Sequence, residues 1–187
     1  MNGFPSKAGI KERVKMLFHP QRDIMSFLYY MRKRSYYSNC ANTMLSQYYR
    51  WRYIRLSQKL GFSIDYNVFG YGLVIPHYGT IVVGGPNCIG NYAVLHTSTC
   101  IAQGGKTIGD GLYLSSGSVI TGACKIGDYV TIAANSVVNK NFGSNMILAG
   151  APAVVKHTNY PKWFERDGNV YYDRVLKVES LKKQMNL

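Results

Sequence analysis

IGDGLYLSSGSVITGACKIGDYVTIAANSVV, from Ile108 to Val138, returns an aliphatic residue every six positions, at Ile108, Leu114, Ile120, Ile126, Ile132 and Val138. The next residue is often small, as at Gly109, Ser115, Gly127 and Ala133. A period of six matches neither the 3.6 of an α-helix nor the 2 of an ordinary strand. It fits short strands joined by tight corners, three to a coil, so that one coil takes about 18 residues. The aliphatic side chains then point inward, and stacked coils pair at about the 4.8 Å of neighbouring strands. The fold class this predicts is mainly β, a parallel β-helix.

Upstream the pattern continues through Val83, Ile89, Leu95 and Ile101. Ile101 to Ile108 is stretched by one residue and Ile75 to Val83 by two, which marks loops or bulges. Sixteen of the 19 glycines fall between Gly61 and Gly150. Three parts are expected: a basic, Tyr-rich helical region over 1–60, the β-helix over 61–157, and a tail over 158–187 with a short helix from Tyr172 to Met185.

The charge is as unevenly spread as the glycine. The net charge is +13, but residues 1–60 hold twelve Lys or Arg against two acids, 61–150 hold three of each, and the remainder seven against four. A neutral centre argues against nucleic acid as its partner. In the first part a helix is expected from Lys7 to Phe18, a second from Pro20 to about Arg34, and a third capped by Ser38 or Asn39 and ending at Leu60 before Gly61. On the third, Ala41, Met44, Leu45, Tyr48 and Tyr49 recur at helical spacing and read as a packing stripe against the β-helix or another subunit. Arg32, Lys33, Arg34, Arg50, Arg52 and Arg55, with Tyr and Trp51 between them, offer the alternative of peripheral contact with anionic membrane lipid. No apolar run suits a membrane span, and Met1 to Lys15 lacks the apolar stretch of a secretion signal, so a cytoplasmic location is expected, with the inner membrane face as its variant. Cys40, Cys88, Cys100 and Cys124 form no CxxC pair, so neither a zinc site nor a disulfide framework is expected.

With three sides per coil, the sides that start at Ile75, Leu95, Leu114 and Ile132 share one face. Their third residues form a column, His77, Thr97, Ser116 and Ala134, and His96 stands next to His77. His77 lies at the largest interruption of the repeat, beside Pro76 and Gly79, and irregular segments on rigid scaffolds often carry function. A neutral imidazole can take a hydroxyl proton as that oxygen attacks a carbonyl. His96 taken alone also reads as a polar surface residue. The small residues along the column leave room for something long and thin, as phosphopantetheine is. His19 and His157 lie outside the repeat.

The stretches GYGLVIPHYGTIVVGG (Gly70–Gly85), VLHTSTCIAQGGK (Val94–Lys106), AANSVVNK and AGAPAVVKH together resemble hexapeptide-repeat acyltransferases, nearest the serine O-acetyltransferase-like group that includes capsule and surface-polysaccharide acetyltransferases. The resemblance covers residues 70–157. It implies a left-handed β-helix, a homotrimer or a dimer of trimers, and active sites in clefts between neighbouring helices, with acetyl-CoA as donor and no metal. His77 falls on the family's catalytic histidine. Gly104, Gly105 and Lys106 look like the glycine-rich loop beside the cofactor, and Ser116 and Ala134 match positions that line the pantetheine arm. Lys140 and Lys156 resemble the basic residues that meet the nucleotide phosphates, though either also reads as a solvated lysine.

Pro76 stands where serine acetyltransferases carry an Asp that meets the substrate amino group, and Phe62 where they keep an Asp that orients the histidine. The family's second histidine belongs to a loop shortened here to Lys106 and Thr107. Asp65 or His96 remain as candidates for orienting His77. The expected activity is therefore acetyl transfer to a saccharide hydroxyl in surface or capsular polysaccharide assembly, with serine O-acetylation as the alternative. A non-catalytic binding β-helix is the rival of another class.

Overall fold

The computed structural model describes residues 18–166 and 168–184. Two antiparallel helices come first, α1 (Arg22–Asn39) and α2 (Thr43–Leu60), joined through Ala41 at φ 54°. Asn42, not Ser38 or Asn39, caps α2, its side chain accepting from the Leu45 N–H at 3.1 Å. α1 runs beyond Arg34 to Asn39, since nothing before the left-handed turn at Ala41 interrupts it. Gly61, at φ 77°, ends α2 as expected. The helix expected at Lys7–Phe18 lies outside the described residues except for Phe18.

Among the described residues, thirteen strands follow. β1 (Phe62–Ile64), β2 (Ile81–Val83), β5 (Thr99–Ile101), β8 (Val119–Ile120) and β11 (Val137–Val138) stack in parallel as the first sheet. β4 (Val94–Leu95), β7 (Tyr113–Leu114), β10 (Thr131–Ile132) and β12 (Met146–Gly150) form the second, also parallel. β3 (Cys88–Ile89), β6 (Thr107–Ile108) and β9 (Lys125–Ile126) form the third. The expected parallel β-helix is therefore present. Its register sets Ile101 beside Ile120 and Ile120 beside Val138, Leu95 beside Leu114, and Ile108 beside Ile126, so each inward column is aliphatic and buried. At one corner a side chain from the following coil accepts a backbone N–H of the coil before: Asn91 from Tyr71, Asp110 from Asn91, and Asp128 from Asp110, at 2.7–3.0 Å. These bonds use backbone donors that the turns leave unpaired.

The stack is closed at both ends. At its start the helical hairpin covers the first coil, with Phe27 packed on Tyr53 and Phe62 at ring separations of 5.2 and 5.1 Å. At its end Pro152 turns the chain into β13 (Ala153–Thr158), which pairs antiparallel with β12, an element the repeat did not announce. A 3₁₀ turn (Trp163–Glu165) and helix α3 (Tyr172–Gln184) then pack over the outer face of the second sheet. Trp163, 3% exposed, donates its indole N–H to the Tyr92 carbonyl at 2.9 Å.

Of the expected packing stripe, Ala41 precedes α2, Leu45 and Tyr49 are half-buried with Tyr49 stacked on Tyr37 of α1 at 5.3 Å, and Met44 and Tyr48 are exposed. The buried positions of α2 are Tyr53, Ser57 and Leu60. No helix among the described residues is long and apolar enough to cross a membrane.

Candidate active site

The two-residue interruption after Ile75 forms as a bulge at the corner between the second and first sheets. Val74 pairs with Val94 and Ile81 with Thr99, so the six residues between them on the earlier coil face four on the later one. Gly79 takes the excess at φ 131°, where an added Cβ would come within 3.3 Å of Thr97. The bulge is pinned on both sides by the helical hairpin. The Gln21 side-chain amide donates to the Pro76 carbonyl at 2.9 Å, and the Gly79 N–H donates to the Leu60 carbonyl at 3.0 Å. Between these anchors His77 is exposed, and Tyr78 beside it is 70% exposed.

His96, on the next coil, is half-buried, and its ring centre lies 6.4 Å from that of His77. Its backbone is fixed by a bond from its N–H to the Leu114 carbonyl at 3.0 Å and by the Thr99 hydroxyl, which donates to its carbonyl at 2.8 Å. Burial, and secondarily the neighbouring His77, hold the His96 imidazole below its ordinary pKa and so favour the neutral ring. Its Nε2 lies 2.8 Å from the Tyr113 hydroxyl. The phenol donates to Nε2 when the ring proton is on Nδ1 and accepts from it when the proton is on Nε2, and in either tautomer the contact fixes the ring plane.

Tyr113 is itself held by the C-terminal segment. The Arg166 guanidinium lies 5.2 Å from its ring centre and donates to the Thr131 hydroxyl at 2.6 Å, while the Trp163 ring stands 6.3 Å away. Sequence reasoning missed both Tyr113 and Arg166. The first was within reach, because Leu114 shares the register of Leu95 and so sets Tyr113 beside Val94, two residues before His96 and on the same outward side of the coil. Nothing periodic announces the second, since the tail folds back only in three dimensions.

Thr97, Ser116 and Ala134 continue along this corner on successive coils. The Gly117 N–H donates to the Thr97 carbonyl at 3.1 Å, and the Asn135 N–H to the Ser116 carbonyl at 3.0 Å. Ser116 and Ala134 are exposed, so the column is an open shelf of small side chains. Gly104, Gly105, Lys106 and Lys140 lie elsewhere. They occupy the corner at the other end of the first sheet's strands, after β5 and β11, so one chain does not bring them to His77. Lys106 is fully buried. Its Nζ donates to the Ala102 and Gln103 carbonyls at 2.6 and 3.3 Å, and its backbone N–H to the Asn87 side chain at 2.9 Å. It braces the glycine loop from inside. Lys140 is exposed, with its Nζ 5.6 Å from the Phe142 ring centre. Lys156, also exposed, stands on β13 where the pairing with β12 shifts register.

Asp65 does not reach His77. It follows β1 at the far corner, its N–H bound to the Val83 carbonyl and its carboxylate accepting the Asn67 N–H, both at 3.0 Å. Of the two candidates for orienting His77, only His96 shares its corner. Among the described residues, no group of three or more His, Cys, Asp or Glu side chains could hold a metal ion.

Coils of six-residue sides around an aliphatic core make the fold a parallel β-helix, with a histidine pair at the bulged corner after Ile75. Residues 105–140 match the family described as bacterial transferase hexapeptide (six repeats). Serine acetyltransferase 4 of Arabidopsis thaliana is 34% identical over 107 residues, which cover 53% of this chain and 30% of the relative. A serine acetyltransferase of Synechococcus elongatus is 24% identical over 136 residues, covering 63% and 56%. The chain thus spans between 30% and 56% of these relatives' length. A solved serine acetyltransferase in complex with CoA superposes with a TM-score of 0.59 at 24% identity over 75% of this chain and 59% of that one, a likeness of fold.

Proposed function

We propose that this protein is an acetyl-CoA-dependent O-acetyltransferase with His77 as its general base. The observation that carries the reading is the pairing of His77 and His96 at 6.4 Å on the bulged corner, at the head of the Thr97, Ser116 and Ala134 shelf. His77 takes the acceptor hydroxyl proton as that oxygen attacks the thioester carbonyl. The tetrahedral intermediate then collapses, its C–S bond breaks, and CoA leaves as the thiol, having received the proton. Backbone N–H groups hold the oxyanion, and such preorganised donors are worth roughly 3–4 kcal/mol each in acyl transfer. His96, kept neutral and fixed by Tyr113, stands ready to position His77 or the acceptor.

The donor's nucleotide end is assigned to Gly104, Gly105 and Lys140, with Lys156 at the end of the stack. Because these residues sit one strand length from His77, a complete site takes the two corners from neighbouring β-helices. This supports assembly as a trimer or a dimer of trimers.

Serine is the acceptor that the relatives favour over the saccharide expected from the sequence, since those described above are serine acetyltransferases. One observation keeps a saccharide hydroxyl as the second reading. Pro76 replaces the Asp that would meet an ammonium group, and neither 75–80 nor 94–98 contains a carboxylate. The test is thiol release from acetyl-CoA by the purified full chain with L-serine and, separately, with a panel of saccharides. Turnover of serine at sub-millimolar concentration supports the first reading, and turnover of a saccharide alone supports the second. Absence of release with every hydroxyl acceptor overturns both.

A further inference from the structure

Helix α2 contains no Asp or Glu in eighteen residues. α1 contains one, Asp23, and it is occupied by Lys59 at 2.6 Å and Arg22 at 3.2 Å. Met44, Tyr48, Trp51 and Arg55 are spaced four, three and four residues apart and share the outward face of α2. Met44 is 83% exposed and Trp51 52% exposed. The rings continue across to α1 without a gap: Trp51 to Tyr48 at 6.5 Å, Tyr48 to Tyr49 at 5.1 Å, and Tyr49 to Tyr37 at 5.3 Å. Cations are laid over these rings. The Arg55 guanidinium is 5.4 Å from the centre of Trp51, and the Lys33 ammonium 5.7 Å from that of Tyr37.

Not every basic residue of the hairpin belongs to this surface. Arg32 donates to the Phe69 carbonyl at 2.7 Å and to that of Gly70, and Arg34 lies on the Tyr66 ring at 3.8 Å, so both tie the hairpin to the first coil. What remains outside is an aromatic and thioether centre with cations set into it and no carboxylate. A second copy of the same face fits poorly, because a symmetric contact would set Lys33 and Arg55 against their own kind with no anion between. Nucleic acid fits less well too, since the ring faces it would stack on are already covered by one another and by cations. A lipid surface asks for amphipathic rings at headgroup depth, an apolar tip that reaches the acyl boundary, and cations at the phosphates.

We propose that the outward face of the α1–α2 hairpin docks the protein peripherally on an anionic lipid surface, with Trp51 and Met44 entering the headgroup boundary and Lys33 and Arg55 meeting lipid phosphates. This is independent of the acetyl-transfer reading.

The chain has two tryptophans, and Trp163 is buried, so a change in emission on binding reports Trp51. Full-length protein is sedimented with vesicles of phosphatidylcholine alone and of phosphatidylcholine with about a third phosphatidylglycerol. Binding is expected only to the anionic vesicles, with a blue shift of emission that Trp51→Phe abolishes and with release at high salt. Lys33→Glu with Arg55→Glu is expected to lower the bound fraction about tenfold or more while far-UV circular dichroism stays unchanged. Four results overturn the proposal: no vesicle binding, equal binding to neutral vesicles, preferential binding of a single-stranded oligonucleotide, or a Trp51→Glu chain that sediments as a smaller assembly. The last would make the face a subunit contact.

Discussion

Replacing Tyr113 by Phe removes one oxygen and little else. The ring keeps its place beside Trp163 and under Arg166, so the fold should hold, but the 2.8 Å bond to His96 Nε2 is lost. A hydrogen bond of this kind contributes about 0.5–1.5 kcal/mol net, which corresponds to roughly twofold to tenfold in rate if the bond persists into the transition state. The split between kcat and KM is the sharper readout. If the bond fixes the plane of the His96 ring beside His77, Tyr113→Phe should lower kcat by about that factor, while the KM for acetyl-CoA and the melting temperature stay nearly constant. A folded variant with unchanged kcat would falsify the positioning role of Tyr113.

Lys140→Ala is expected to raise the KM for acetyl-CoA more than that for acetyl-pantetheine, which lacks the nucleotide phosphates; equal effects on both donors would remove Lys140 from the phosphate site. Trp163→Ala should cost about 3–5 kcal/mol, as large-to-small changes of buried aromatics do, and should lower both melting temperature and activity because the segment bearing Arg166 loses its anchor. Normal activity in a Trp163→Ala chain that still folds would show that the C-terminal segment does not support the site.

The six-residue period made the coils legible because an inward aliphatic residue is required at every side and little else satisfies that rule. Ile101, Ile120 and Val138 stand in the register their spacing dictates, and His77 and His96 meet because two sides of one face must stack. Where two patterns compete, periodicity is mute. α2 sets Met44, Tyr48 and Trp51 along one face and Tyr53, Ser57 and Leu60 along another, and the packing of Tyr53 on Phe27, which also meets Phe62, determines which faces inward. Lys106 belongs to the stretch that resembles the family's glycine-rich cofactor loop. Its burial depends on carbonyls at Ala102 and Gln103 that the residue letters do not orient. Arg166 joins the site through a chain reversal that no repeat encodes.

The central claim, proton removal by His77 during acetyl transfer, is tested most directly by thiol release from acetyl-CoA with wild-type protein and with His77→Ala, each beside a measurement of CoA binding and of assembly. The account predicts that His77→Ala loses activity by roughly 10²–10⁴-fold, the range usual for a general base, while CoA affinity and assembly stay nearly intact. Retention of most of the activity by a folded His77→Ala chain would contradict it.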